Sequence, residues 1–480
     1  MKKISSLLLS AIICTALASG QMPEVTKFFP DSVFGSASVS FTVADLITGE
    51  VICSIDPRRA LAPASVNKLV STSSALELLG SDYRFRTVTG YSGELGRNRK
   101  TLNGDIIIRG GGDPALGSPY FPDHYEDIVG RIAHSVQNAG ITKIKGSVIA
   151  DESIYGFNPA SSRWSWGDLG NYYGAGPYGL SVFDNTVRIY FRTGERGSVP
   201  VITRMEPEIE GLEMKSYLIA EGTTDRGYVY SAPYNKYAWI MGYIPENREE
   251  FVLRASIPDP PLQLASMVTA RLEQLGIVVS EGAATARTVN GFTAENMIQL
   301  SEILSPPLSE IVKVTNHESV NLYAEHLLRQ VGHEIKGSGT VQSGIEAIRE
   351  FLVVSGIPHT GVVIEDGSGL AARNSITSEF ITGLIRYMII SGRNPASFYE
   401  SLPVAGESGT MRGFFRDPLL AGNLRAKTGT ISRVRSYAGT FRTASGREMV
   451  FCIIVNNYTG PLSVVNRQIE DLFRQLVINY

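Results

Sequence analysis

In the stretch Pro63-Ala64-Ser65-Val66-Asn67-Lys68-Leu69-Val70-Ser71-Thr72-Ser73-Ser74-Ala75-Leu76-Glu77-Leu78-Leu79-Gly80 the apolar residues recur at helical spacing and the run closes on a glycine. The pattern predicts a helix with Ser65 in its first turn. On a helix, positions i and i+3 share a face, so the Lys68 amine can reach the Ser65 hydroxyl. A serine at a helix N-terminus also holds its own backbone N–H where an oxyanion can be stabilised. The chain has twelve Lys against thirty-two Arg, and Lys68 alone has a Ser three residues before it. S-x-x-K by itself is a short pattern that chance supplies in a chain this long, and an exposed helix Lys beside a solvated Ser reads equally well.

Upstream, residues 37–43 and 51–55 read as two strands joined by a tight turn through Asp45-Leu46-Ile47-Thr48-Gly49-Glu50. From about residue 85 to 260 the character shifts to short strand-like runs, aromatics and turn residues, including residues 103–109 and 181–192. Helical pattern returns over 300–328 in pieces, then over 340–355 and 377–391. Strands around 424–429, 434–442 and 449–456 follow, then a helix over 463–476. Strands at both ends with helices between predict an α/β (α+β) fold interrupted by a large β-rich insertion.

The 480 residues are 43% hydrophobic and 19% charged, with a formal net charge of −3. Such a chain has two to four domains at the usual ~100–200 residues each, and its near-balanced charge gives no electrostatic footprint for nucleic acid. Lys2 and Lys3, the apolar run 7–15 and Ala16-Leu17-Ala18 read as a signal peptide over residues 1–18. The residue before Cys14 is not the small one a lipidation site requires. The expectation is therefore a cleaved, periplasmic product with at most peripheral membrane association. Cys53 and Cys452 lie in strand-like segments among Val and Ile. Such residues are most often free and buried, although export permits their oxidation. The six His are scattered, with no H-E-x-x-H and no G-x-S-x-G, so no metal site and no cofactor is expected.

Two further motifs follow in order. Ser319-Val320-Asn321 precedes a helical run, and Lys427-Thr428-Gly429-Thr430 reads as a strand whose glycine lets another backbone approach closely. Each is weak alone, since a Ser such as Ser319 often caps a helix. Together, each in the secondary structure its role needs, the three are strong.

In these motifs the chain resembles the penicillin-recognising serine enzymes. Ser65 and Ser319 stand 254 residues apart, far more than a compact β-lactamase places between its first two motifs. This resembles the D-alanyl-D-alanine carboxypeptidase/endopeptidase family, the class C low-molecular-mass penicillin-binding proteins. Residues 103–114, 148–151, 366–370 and 402–410 look like that family too. The resemblance implies a β-lactamase/transpeptidase-like domain, an antiparallel sheet flanked by helices, over 19–85 and 297–480. It implies a second domain inserted into the first over 86–180 and 258–296, and a third, β-rich, inserted into the second over 181–257.

The resemblance also implies roles. Ser65 would be the nucleophile on a D-Ala-D-Xaa carbonyl of peptidoglycan, and Lys68, kept neutral by neighbouring cations and partial burial, its base. Ser319 would relay a proton to the leaving amine, and Asn321 would position Lys68 and the substrate amide. Lys427 would depress the Lys68 pKa and, with Thr428, hold the substrate carboxylate. The N–H groups of Ser65 and Thr430 would form the oxyanion hole, with the substrate strand added along residues 427–430, Gly429 among them. Penicillin would form the same ester and leave it slowly, making β-lactams covalent inhibitors. Asp151 and Tyr155 look like the acidic and aromatic pair that recognises the free amine of the peptidoglycan side chain. Where the family usually has Arg six residues after the Asp of D-G-S-G-L, this chain has Ala372 followed by Arg373, and Arg433 replaces a glycine beyond K-T-G. Arg433 could narrow the groove or contact a carboxylate. The aromatics Trp164, Trp166, Tyr172 and Tyr173 read as packing at a domain interface rather than a glycan groove. Two competing readings stand beside the peptidase: a serine β-lactamase, or a non-catalytic peptidoglycan- or penicillin-binding protein.

Overall fold

A computed structural model describes residues 27–480; the signal peptide read over 1–18 lies outside the described residues. In chain order, β1 (Ser38–Asp45) and β2 (Val51–Ile55) form a hairpin, and a tight 3-10 turn over Ala64–Asn67 runs into α1 (Lys68–Leu78). Then come β3 (Arg86–Tyr91), β4 (Ile106–Arg109), α2 (Ile128–Asn138) and β5 (Val148–Asp151). The β-rich stretch holds β6 (Thr186–Thr193), β7 (Val201–Glu206), β8 (Glu213–Ala220), β9 (Arg226–Tyr230), β10 (Tyr237–Ile244) and β11 (Arg248–Ser256). After α3 (Pro260–Gln274), β12 (Ala283–Thr285) and β13 (Ile298–Leu304) come the helices α4 (Leu308–His317), α5 (Asn321–Lys336), α6 (Val341–Val354) and α7 (Ser378–Ile390). The chain closes with β14 (Arg425–Ile431), β15 (Val434–Arg442), β16 (Glu448–Asn456) and α8 (Leu462–Asn479).

The two ends of the chain meet in one antiparallel sheet, ordered β14-β15-β16-β1-β2. Both faces of this sheet are covered, which is why β16 is an almost unbroken apolar run rather than an alternating one. Val450, Cys452 and Ile454 pack on the face covered by α7. Met449, Phe451, Ile453 and Val455 pack toward α8 on the other face. There the Phe473 ring lies 4.4–6.3 Å from the rings of Phe41, Phe415, Phe441 and Phe451. Truncating such a ring to Ala typically costs ~3–5 kcal/mol.

The same register settles the cysteines. Cys53 pairs across from Val43 and Cys452 from Thr42. Adjacent residues of β1 point to opposite faces, so the two thiols lie on opposite sides of the sheet and two strands apart. Both are free and buried.

A second, mixed sheet runs β12-β5-β4-β3-β13, with α2 and α3 packed together beside it. The expectation of helix from residue 300 fails here: 298–304 is an edge strand antiparallel to β3. Ile-Gln-Leu-Ser-Glu-Ile-Leu is too short for its period to separate helix from strand, and Pro306-Pro307 delays the helix to Leu308. In the β-rich stretch two three-stranded sheets, β7-β6-β11 and β8-β10-β9, bury Val187, Ile189, Phe191, Leu218, Val229 and Ile240 in a core of their own.

Candidate active site

The turn that opens α1 is held in an uncommon shape. Ala64 has φ +48°, and Pro63 offers its carbonyl to Ser436 Oγ on β15 at 2.6 Å. α1 itself is buried almost throughout; Ser71, Thr72, Ser73, Ser74 and Ala75 are small enough to let neighbouring helices approach closely. Two glycines are required beside this turn. A Cβ on Gly429 would stand 2.2 Å from Ser436 Oγ and 2.6 Å from the Pro63 carbonyl oxygen, with Ser65 N at 3.1 Å. A Cβ on Gly369, whose φ is +83°, would stand 2.0 Å from the Ala64 oxygen. The backbone on either side of Ser65 is thus fixed by close contact with residues 429 and 369.

Ser65, Lys68, Ser319, Asn321 and Lys427 converge. Lys68 Nζ lies 2.9 Å from Ser65 Oγ, 2.6 Å from Asn321 Oδ1 and 2.8 Å from the Ser368 carbonyl oxygen. Asn321 Nδ2 donates to the Tyr173 carbonyl at 2.7 Å, and since that oxygen can only accept, the amide orientation is set. Lys427 Nζ donates to Ser319 Oγ and to the Thr428 carbonyl, each at 2.8 Å. Ser319 itself sits in the left-handed region, at φ +59°. Thr428 Oγ1 donates to Thr410 Oγ1 at 3.0 Å, and buried Arg435 donates to Thr430 Oγ1.

The loop 366–370 supplies the Ser368 carbonyl and is anchored for it. Asp366 accepts from Gly369 N, Ala371 N, Asn374 Nδ2 and Trp164 Nε1. Glu325 on α5 accepts from Gly367 N and Ser368 N. Burial, then the neighbouring Asp366 carboxyl, pushes Glu325 up to about 7.

Complete burial lowers the Lys68 pKa to about 7, against the opposing pull of Asp366 and Glu325. The expectation that neighbouring cations and partial burial do this is corrected: desolvation dominates. The repulsion between the two lysines weighs instead on Lys427, held well below its ordinary value by burial, then by Lys68 and Arg435. A neutral amine has two N–H donors and one lone pair. Asn321 Oδ1 and the Ser368 carbonyl take both donors, so the lone pair faces the Ser65 hydroxyl. The arrangement can therefore take the proton from Ser65 Oγ.

A cleft of about 790 Å³ opens over these groups, with Ser65, Ser319, Asn321 and Thr430 in its wall. Residues from the stretch 168–254 also line it, among them Asp168, Tyr172, Tyr173, Tyr228 and Arg254. Asp151 and Tyr155 do not reach it. Asp151 is buried and paired with Arg109 at 3.2 Å. Tyr155 is buried against His326 and donates to Gln330 Oε1 at 2.6 Å. The cleft is lined instead by the carboxyl groups of Asp184 and Glu318, the rings of Tyr120 and Tyr228, and the sequence neighbours Asp168, Tyr172 and Tyr173. The last three sit in a turn-rich stretch without periodicity, and the only signal for them was the aromatic cluster, read as interface packing. That reading holds for Trp164, buried on Asp366, and fails for Trp166 and Tyr172, which are exposed. Ala372 lines the cleft while Arg373 does not, and Arg433 turns away to the carbonyls of Asn457 and Tyr458 instead of narrowing the groove.

Residues 23–476 match the model of the D-Ala-D-Ala carboxypeptidase 3 (S13) family. The chain is 27% identical over 455 residues to a D-alanyl-D-alanine carboxypeptidase of Actinomadura sp. (strain R39), covering 91% of this chain and 81% of that one. It is 23% identical over 480 residues to the D-alanyl-D-alanine carboxypeptidase DacB of Haemophilus influenzae, covering 96% and 95%. Its fold is similar to the crystal structure of penicillin binding protein 4 (dacB) from Haemophilus influenzae, with a TM-score of 0.81 at 21% identity over 95% of this chain and 99% of that one. That protein has also been crystallised in complex with a β-lactam, matching with a TM-score of 0.76 at 20% identity over the same shares of the two chains.

Proposed function

The chain belongs to the D-Ala-D-Ala carboxypeptidase 3 (S13) family and is a serine penicillin-recognising peptidase, and we propose that Ser65 and Lys68 carry its chemistry on D-Ala-D-Xaa bonds of peptidoglycan. Neutral Lys68 takes the Ser65 proton as Oγ attacks the carbonyl carbon. The N–H groups of Ser65 and Thr430 receive the developing oxyanion. Ser319, hydrogen-bonded to Lys427, passes a proton to the leaving amine, and the substrate carboxylate rests against Thr428 and Thr430 in the field of Lys427 and Arg435. The substrate backbone adds along residues 427–430 of β14, the outermost strand of its sheet, past the point where Arg425 bridges Val404. Water then attacks the acyl carbon, the Ser65 ester bond breaks, and Ser65 recovers its proton. A β-lactam forms the same ester and occupies the site.

The observation that carries this reading is the 2.9 Å contact between Ser65 Oγ and a buried amine whose two other partners can only accept. We also propose that the chain is built as nested units: the β14-β15-β16-β1-β2 sheet with its helices, a second unit inserted after α1, and the β-rich stretch inserted into the second. Export to the periplasm belongs to the same reading; among the described residues no helix is long and apolar enough to cross a membrane.

The test is a fluorescent penicillin on wild type and Ser65→Ala, followed after excess label is removed. A stable label on the wild type only, together with D-Ala release from a soluble pentapeptide, is the expected result. A label that forms and vanishes within seconds makes the chain a β-lactamase, and no label with no D-Ala release makes it a binding protein.

A further inference from the structure

The sheet β8-β10-β9 is covered on one face only. Its inner face, with Leu218, Val229, Ile240 and Ile244, closes the core of the β-rich stretch. Strand alternation puts the intervening residues outward, and there the sequence places Tyr217, Tyr228, Tyr237, Trp239, Met241 and Tyr243, each between 36% and 60% exposed. The pairing lines these side chains up in rows. Met241 stands between Tyr217 and Tyr228, Trp239 between Lys215 and Tyr230, and Tyr243 between Ile219 and Arg226. Trp166, 53% exposed, extends the surface, its ring 5.0 Å from Tyr230 and 6.1 Å from Trp239. A contiguous exposed aromatic face of this kind is a surface that something covers.

Two features say what covers it. The face is continuous with the cleft, because Tyr228 is both a row member and part of the cleft wall, and Trp166 shares the short helical turn Trp166–Leu169 with the cleft residue Asp168. From Tyr237 to Tyr243 the face extends for roughly 20 Å along the strand. Its chemistry is flat rings edged by phenol hydroxyls, with Lys215 and Arg226 interspersed. A pyranose presents polarised C–H bonds on one face and hydroxyls at its rim, which suits the negative ring face and the polar ring tips. A stem peptide held in the cleft is attached to a chain of such sugars, and that chain has to leave over an adjoining surface.

We propose that the outer face of β8-β10-β9 is a docking surface for the glycan strand of peptidoglycan, its N-acetylated sugars stacking on Tyr217, Trp239 and Tyr243. The inference rests on the peptidase reading of the cleft and deepens it: the enzyme holds its polymeric substrate by the sugar backbone as well as by the peptide.

The experiment combines Tyr217→Ala, Trp239→Ala and Tyr243→Ala, none of which lines the cleft. Binding is measured in the Ser65→Ala background to glycan strands stripped of stem peptides by amidase digestion of sacculi. The expected result is a loss of affinity of about tenfold or more, the size that aromatic anchors carry. The matching triple Phe variant keeps the ring faces and retains binding. With Ser65 intact, the Ala variant keeps wild-type penicillin acylation and D-Ala release from a soluble pentapeptide. Glycan binding unchanged in the Ala variant overturns the proposal. So does sedimentation showing that the variant loses only self-association, or only attachment to anionic phospholipid vesicles, since the face would then belong to a second copy or to a membrane. A wild type that binds glycan through these rings yet releases no D-Ala and takes no penicillin keeps the docking surface while the peptidase reading falls.

Discussion

Lys68 Nζ and Asn321 Oδ1 lie 2.6 Å apart, joining the first turn of α1 to the first residue of α5 across 253 positions of sequence. The contact decides which way the lysine works. With Asn321 and the Ser368 carbonyl consuming both N–H bonds of a neutral amine, the remaining lone pair has one hydrogen-bonding partner in reach, the Ser65 hydroxyl. Burial makes the neutral form accessible near pH 7. The positioning is therefore built by one side chain and one loop carbonyl, each anchored in turn by Tyr173 and by Glu325 and Asp366.

The pH dependence follows. Only the neutral amine can accept the Ser65 proton, and its pKa is lowered to about 7. The second-order rate of penicillin acylation should fall about tenfold per pH unit below that midpoint and level off above it. A stopped-flow or quenched-label series from acid to mildly alkaline pH reads this directly. A midpoint near the ordinary lysine value would mean that burial does not lower the Lys68 pKa, and a rate without pH dependence would mean that Lys68 is not the base.

Asn321→Asp tests the same contact by charge with almost no change of shape. A carboxylate within hydrogen-bond reach of Lys68 favours the ammonium and raises its pKa by about 1–3 units. Acylation at pH 7 should drop about 10- to 100-fold and recover on the alkaline side, the midpoint moving up with it. A loss that is the same at every pH would instead assign Asn321 to substrate contact alone.

Much of this was legible in the sequence because the side chains that meet are spaced by simple rules. Ser65 and Lys68 share a helix face, and the strand 449–456 announces itself as an apolar run. The Ser368 carbonyl was not legible, because a backbone oxygen has no residue signature; only the loop 366–370 could be noted, without its role. Asp168 was missed because Trp166-Gly167-Asp168-Leu169 has no period, whereas Asp151 ends a clear strand and drew the assignment, although its carboxylate serves Arg109. Residues 300–304 read as helix because so short a run of mixed polarity satisfies either period, and the pairing of 298–304 with β3 lies over 200 positions away in sequence.

Gly369→Ala should damage stability and catalysis together. The residue sits at φ +83°, and an added Cβ would stand 2.0 Å from the Ala64 oxygen, a backbone atom that cannot swing aside. Left-handed strain alone costs about 1–3 kcal/mol, and the clash displaces the turn that carries Ser65. The expected outcome is a lowered urea midpoint at unchanged slope, with penicillin acylation reduced at least about tenfold because the near-attack geometry is lost. Gly413, where an added Cβ meets nothing within 4 Å and no left-handed φ is required, is the control: Gly413→Ala should leave both measurements at wild-type values.

Asp168→Asn should separate recognition from chemistry. The carboxylate lines the cleft that also holds Ser65 and is half-buried, with Tyr173 OH donating to Oδ1 at 3.3 Å. Burial raises its pKa above the ordinary Asp value, so removal of the charge matters most above that raised value. A stem peptide whose side chain ends in a free amine would meet this negative charge as it lies in the cleft, and the amide replacement keeps the shape and the Tyr173 contact while removing the attraction. For such a peptide KM should rise about tenfold, the size of one charge-assisted contact, with kcat little changed. The same peptide with its amine acetylated should show no difference between wild type and variant, and neither should penicillin, which lacks the amine-bearing arm. Equal losses on the free and acetylated peptides would place Asp168 in the support of Tyr173 and Asn321 rather than in contact with substrate.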